Sequence, residues 1–349
     1  MSDGGGRPES GQVASAEAWF VGHGLPYFVD HHRAAVARGL RRGRVSALIA
    51  SVVAIAAAVG VGVGVPLGLA AGLGAAMSVA GALLAAYAIV ALRAWLIVRW
   101  AAGRTLGSLG LLFPLITRAL PLLLLFVTFL FINAEVWQVA ARLDGGVLWV
   151  TVLLFGGVAI GFLLVRLPEE LDRVDDEVES EQMLEACAGT PLEAAARRLA
   201  DQVDRVGAVD AEVTGLQKAN LVLVLLVAQA LQVLLLALAV FAFFLVFGVV
   251  VMDPAVVASW TGEDLHPLTG SIGSWEGARL SLELVQVSVF LAAFSGLYFT
   301  VYAITDELYR QEFFATVTRE LERAVSARVA YRSLVSGDLG RPGPDADDD

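Results

Sequence analysis

The strongest constraint on this chain is a recurring set of apolar stretches, near 45–65, 67–98, 122–141, 147–167, 219–252 and 280–304. Each is about twenty residues or longer, which as a helix spans a hydrocarbon layer of about 30 Å. The apolar residues are not spaced at helical or strand period with polar faces between them, so no soluble core accounts for them. Across 349 residues, 57% are hydrophobic and 17% charged, against about a quarter charged in soluble domains. The expected fold is all-α: a polytopic membrane protein of about six transmembrane helices.

Charge supplies the orientation. Of the 24 Lys and Arg residues, all but Arg142 and Arg279 fall in the N-terminal segment, the second-to-third connection counted from Arg93, the 168–218 insert with Arg166, or the C-terminus. Basic residues accumulate on the cytoplasmic side of membrane proteins, which predicts both termini inside. The tryptophans give a second sign: Trp95 and Trp100 fall at inner ends, and Trp137, Trp149, Trp260 and Trp275 at or beyond outer ends, as an aromatic belt requires.

Five regions follow. Residues 1–44 form a cytoplasmic segment, unstructured to about residue 16 and then amphipathic, with aromatic residues ahead of Arg33, Arg38, Arg41, Arg42 and Arg44. Two readings of it stand: a stretch lying on an anionic membrane face, or a leader packed on other cytoplasmic parts. Residues 45–167 are a four-helix membrane part, whose first two spans join at Gly64-Val65-Pro66. Gly64, Gly68 and Gly72 there, and Gly157 and Gly161 in the fourth span, have the spacing that lets helices approach closely. Residues 168–218 form a cytoplasmic helical hairpin, its first helix opening at Pro168 and ending at Gly189, its second capped by Thr190 with Glu193 reaching back. Residues 219–304 are two spans around an external loop, 253–278, and the first is too long for a bilayer unless it tilts, kinks or projects. Residues 305–349 continue as a cytoplasmic helix with an apolar stripe of Phe314, Val317, Leu321 and Val325, predicted to pack on the insert, then an acidic tail without fixed structure.

Several function classes are disfavoured. A net charge of −11 argues against nucleic acid. H-E-x-x-H, G-x-S-x-G and the G-x-x-x-x-G-K-[ST] phosphate loop are absent from the sequence, so no enzymatic activity or cofactor is expected. His31 and His32 point about 100° apart on a helix and no cluster supplies further ligands, so no metal is expected either. The single cysteine, Cys187, excludes an intrachain disulfide. No cleavable leader is expected at the polar N-terminus.

What remains is a set of polar side chains within apolar spans: Asn133 and Glu135 in the third, Gln229 and Gln232 near the middle of the fifth, Glu283 and Gln286 near the outer end of the sixth. Such groups are costly in hydrocarbon and mark candidate sites. Glu135 and Glu283 sit at similar depths, so neighbouring helices would let them share a proton or cation.

The runs Ala228-Gln229-Ala230-Leu231-Gln232-Val233, Phe241-Ala242-Phe243-Phe244-Leu245-Val246-Phe247-Gly248 and Gly296-Leu297-Tyr298-Phe299-Thr300-Val301-Tyr302 resemble stretches in uncharacterised integral membrane proteins of high-GC Gram-positive bacteria. That resemblance covers the last two spans and implies a multi-pass plasma-membrane protein with no known activity. Two functional expectations stand. One is a non-enzymatic scaffold or regulator, with the bilayer and a second copy or another protein as partners of its cytoplasmic helices. The alternative is a channel or ion-coupled small-solute transporter using the intramembrane Glu and Gln residues.

Overall fold

A computed structural model describes residues 8–107, 123–143, 145–171, 177–178, 180–206, 209–210, 213–268, 280–305 and 322–335. These are almost wholly helical; the one strand pairing is two residues long, Glu177–Val178 against Val209–Asp210, within the insert. Among the described residues, five helices are long and apolar enough to cross a membrane, and a bent pair makes a sixth if it is one span.

The chain starts with α1 (Pro8–Gly22), a short 3-10 turn at Pro26–Phe28 and α2 (Asp30–Gly39). Helix α1 therefore begins well before residue 16, correcting the expectation of an unstructured leader. Helices α3 (Arg42–Leu67) and α4 (Leu69–Ala91) form the first pair of spans. Pro66 is not in their connection, as the sequence suggested, but inside α3; the turn is made at Gly68, whose φ of +94° a residue with a side chain adopts at a cost. The second span also ends sooner than expected. Its helix stops at Ala91, Arg93 takes φ +52°, and α5 (Ala94–Gly107) starts anew.

The third span is broken. Helices α6 (Leu123–Phe131) and α7 (Ala134–Ala141) meet at 74°. Asn133 is the reason: its side chain accepts the Glu135 N–H at 2.8 Å and caps a new helix. Trp137 then folds back, its indole N–H donating to the Phe131 carbonyl at 2.6 Å, which satisfies an acceptor left over at the end of α6. Trp137 is fully buried between Phe131 and Trp260, so it is a core residue and not part of an aromatic belt. Trp95 and Trp149 are more than half exposed, as belt residues are.

Helix α8 (Gly145–Leu171) carries Pro168 within it, so the acidic helix expected to open at that proline does not. The described helices of the insert are α9 (Ser180–Cys187) and α10 (Glu193–Val206), packed together at a turn where Gly189 has φ +69°. The cap is close to the one expected: Thr190 Oγ accepts the Leu192 N–H at 3.2 Å, and Glu193 reaches the Gly189 N–H at 2.8 Å. Helix α11 (Gly215–Val251) has 37 residues, about 55 Å at 1.5 Å per residue, and so extends far past a bilayer core. Helix α12 (Pro254–Thr261) lies in the following loop, α13 (Leu282–Thr305) is the last span, and α14 covers 322–335. The stripe residues Phe314, Val317 and Leu321 and the acidic tail lie outside the described residues; Val325 is buried.

Helix α13 is the centre of the bundle, 56% of its apolar window being buried against 6% in each of α3 and α4. It runs antiparallel to α11, with Gly248 on Leu284 at one end and Gly296 on Val233 and Ala237 further along. The α3–α4 hairpin lies at the edge. Its contact is made by Gly60 and Gly64 on α3 against Gly72 on α4, while Gly68 is in the turn. Gly74 touches Gly146 of α8, whereas Gly157 and Gly161, expected to sit at a close crossing, face open space.

Candidate functional site

The intramembrane polar residues do not converge. Asn133 is spent on capping and Glu135 is exposed in the first turn of α7. Gln286 is buried and donates to the Leu143 carbonyl at 3.2 Å, tying α13 to the end of α7. The register of α11 on α13 places Gln232 level with Thr300 and Gln229 level with Ala303, at equal rise along both helices. Both glutamines therefore lie level with the C-terminal end of α13, at the opposite end of that helix from Glu283 and Gln286. Gln229 is fully buried.

Glu283 has a partner the sequence did not suggest. Its carboxylate meets His266 Nδ1 at 2.8 Å and accepts the His266 backbone N–H at 3.2 and 3.3 Å. This fastens loop 262–268 onto the head of α13, helped by Leu268 N–H to Leu280 O and Leu282 N–H to His266 O. The hydrogen bond and charge of Glu283 raise the His266 pKa above its ordinary value, with Glu263 and Asp264 adding to it. Since a raised histidine pKa favours the folded state in its protonated form, the contribution is full below about pH 6.5 and fades as pH rises through the raised value. Glu283→Gln is expected to return the His266 titration toward 6.5, read from ring resonances assigned with a His266→Gln control.

The basic set is more dispersed than a single patch. Arg33 pairs with Asp30 at 2.7 Å, Arg38 donates to Ala34 O at 3.2 Å and Arg44 to Arg38 O at 3.3 Å. Arg38, Arg41, Arg42 and Arg44 are exposed where α2 gives way to α3. The aromatic part of the same segment is packed inward: Phe20, Tyr27 and Phe28 are all buried. Of the two readings for this segment, the packed leader describes its aromatic half.

What holds that half is Asn220 on the projecting part of α11, fully buried. Its Oδ1 accepts the Tyr27 N–H at 2.8 Å, and its Nδ2 donates to the Gly24 carbonyl at 3.0 Å. The Tyr27 hydroxyl donates to the Leu92 carbonyl at 2.6 Å, and burial pushes its pKa to about 12. Gly24 has φ +76° and lies against the Trp100 ring, 3.1 Å from where a Cβ would be. The N-terminal segment also meets the C-terminal helix, which in turn meets the insert. Tyr331 donates to Glu17 at 3.0 Å and packs edge-on to Phe20, while Arg323 lies over Trp19 and donates to the Ala186 carbonyl at 3.2 Å. Cys187 is buried beneath, its thiol pKa raised by burial to about 11.

Between α8, α11 and α13 lies a cleft of about 460 Å³. Its α13 floor is small (Ala292, Ala293, Gly296), as are Gly156 and Ala159 on α8. Among the described lining residues, Thr300 carries the one hydroxyl, which donates to the Gly296 carbonyl at 2.8 Å. None of the six polar candidates lines it.

Compared with family models, curated proteins and solved structures, the chain matches none.

Proposed function

We propose that this protein is a non-enzymatic scaffold or regulator of a bacterial plasma membrane, with both termini and the 168–218 insert in the cytoplasm. The observation that carries the reading is the interlocking of α1, α9 and α14 through Tyr331, Phe20, Trp19, Arg323 and the Ala186 carbonyl. Parts that are far apart in the chain are joined into one folded surface outside the spans, and that surface is the platform a partner would meet. The distribution of basic residues supports the orientation. The exposure of Glu135, the pairing of Glu283 with His266 and the placement of Gln229 and Gln232 at the other end of α13 favour this reading over a conducting pathway.

Two experiments test it. Purified protein in liposomes is expected to give no ion flux above protein-free vesicles; a flux abolished by Glu135→Gln or Glu283→Gln would overturn the reading. For orientation, single cysteines replace Gly11 and Asp264, both exposed, in a Cys187→Ser background. A membrane-impermeant maleimide applied to whole cells should reach the Asp264 position and label Gly11 only after permeabilisation; the reverse pattern would invert the topology.

A further inference from the structure

We propose that the corner where α2, α3 and α4 meet is a binding site for the headgroup of an anionic phospholipid, held by Arg41, Arg42, Arg44 and Arg93. This goes beyond the scaffold reading and requires only that α3 and α4 cross a membrane.

Two sets of contacts bring these arginines to one corner. Gly64 of α3 lies against Gly72 of α4, and Gly60 lies against Ala76. At equal rise along both helices, that antiparallel register puts Arg93 about level with Gly43, which stands between Arg42 and Arg44. The end of α2 closes the corner. There the Tyr87 hydroxyl donates to the Gly39 carbonyl at 2.7 Å, and a Cβ on Gly39 would lie 3.5 Å from the Ala91 carbonyl oxygen. The Arg44 guanidinium donates to the Arg38 carbonyl at 3.3 Å, which keeps it over the end of α2. Arg93, half-buried, makes the turn between α4 and α5 at φ +52°. A glycine would take that conformation without steric cost, so what an arginine adds there is its side chain.

The positive charge of this corner is not balanced by the described residues. The chain has 35 acidic residues against 24 basic ones, yet none of Arg38, Arg41, Arg42, Arg44 and Arg93 forms an ion pair with a described carboxylate. The carboxylates nearest in the chain to Arg38–Arg44 are engaged elsewhere, Asp30 with Arg33 at 2.7 Å and Glu17 with the Tyr331 hydroxyl at 3.0 Å. His32 brings no countercharge either; burial and the charges of His31 and Arg93 hold its pKa below the ordinary value, with Glu17 opposing them. Guanidiniums in this state match phosphate oxygens, which they bind in two-pronged fashion. The depth is that of a headgroup. Exposed Ile49 and Val90 lie on the apolar side of the arginines, and Trp95, more than half exposed, lies on the other as an interfacial residue does. Acyl chains would run along Ile49, Val53 and Val90, an apolar flank that a free phosphate ion would leave unused.

The test is native mass spectrometry of the full chain, released from micelles doped equally with dioleoyl phosphatidylglycerol and dioleoyl phosphatidylcholine. Phosphatidylglycerol should be retained over phosphatidylcholine by about tenfold, because choline would bring a cation into the arginine cluster. Arg93→Gly, which takes the φ of +52° without strain, should lower that preference about fivefold, the contribution of one arginine near a membrane surface. Arg42→Gln combined with Arg44→Gln, both at exposed positions, should lower it at least as far, and carries the test if the Arg93 variant does not elute as a folded species. Arg99→Gln, which removes an exposed arginine of α5 outside the corner, should leave the preference unchanged. Equal retention of the two lipids, or an Arg99→Gln loss as large as those of the corner variants, would overturn the site. Displacement of the bound lipid by millimolar inorganic phosphate would show a free-anion site and overturn the lipid assignment.

Discussion

Asn220→Leu is expected to detach the N-terminal segment from the bundle and lower the apparent melting temperature by about 5–10 °C. The substitution keeps the branching and the number of heavy atoms but removes both hydrogen bonds, leaving the Tyr27 N–H and the Gly24 carbonyl buried without partners. Each such group costs roughly 1–3 kcal/mol, so about 2–6 kcal/mol is at stake. The loss should fall first on 8–40, because α3 and the rest of the bundle do not depend on Asn220. Limited proteolysis should cut within 22–40 in the variant while the spans stay protected, and circular dichroism should report the shifted melt. An unchanged cleavage pattern and melt would mean that the aromatic packing of Phe20 and Phe28 suffices without the clamp.

Gly72→Val is expected to be the most damaging substitution in the α3–α4 hairpin, and Gly81→Ala in the same helix close to neutral. A Cβ at residue 72 would lie 2.5 Å from the Gly60 carbonyl oxygen and 2.7 Å from the Gly64 Cα. These are backbone atoms that cannot rotate away, so the helices must separate and lose the close contact that holds them. Overpacking of this kind costs about 1–3 kcal/mol, and valine adds more bulk than the single atom that already clashes. At Gly81 a Cβ meets nothing within 4 Å, and alanine there gains about 0.5–1 kcal/mol of helix preference over glycine. Thermal unfolding in detergent separates the two, and comparable shifts for both variants would refute the assigned contact.

Much of the architecture was readable from residue order. Span locations, the hairpin of the first two helices, the antiparallel pair in the insert and its Thr190 and Glu193 cap all follow from apolar run length and local capping chemistry. The misreadings share a cause, the competition between local signals. Pro66 and Pro168 looked like helix breakers, yet each is accommodated within a helix. Asn133 looked like an intramembrane polar group but acts as a cap, a role its spacing from Glu135 could have suggested. Trp137 had a position consistent with an interfacial belt, and only its contacts with Phe131 and Trp260 show that it is interior.

The candidate site was harder to read, since its elements come from distant parts of the chain. Asn220 and Gly24 are separated by 196 positions, and neither has a neighbouring motif that announces the bond. His266 could not be matched to Glu283 without knowing how its loop folds over α13. The cleft is visible only once three helices are placed side by side, because each contributes an ordinary pattern of small and large apolar residues. The sequence by itself predicted about six helices long and apolar enough for lipid, since long apolar runs leave no other favourable solvent. Only the tertiary structure decided which polar groups meet, which glycines touch and where an apolar cleft remains, because those depend on helix rotation and register, which apolar content leaves open.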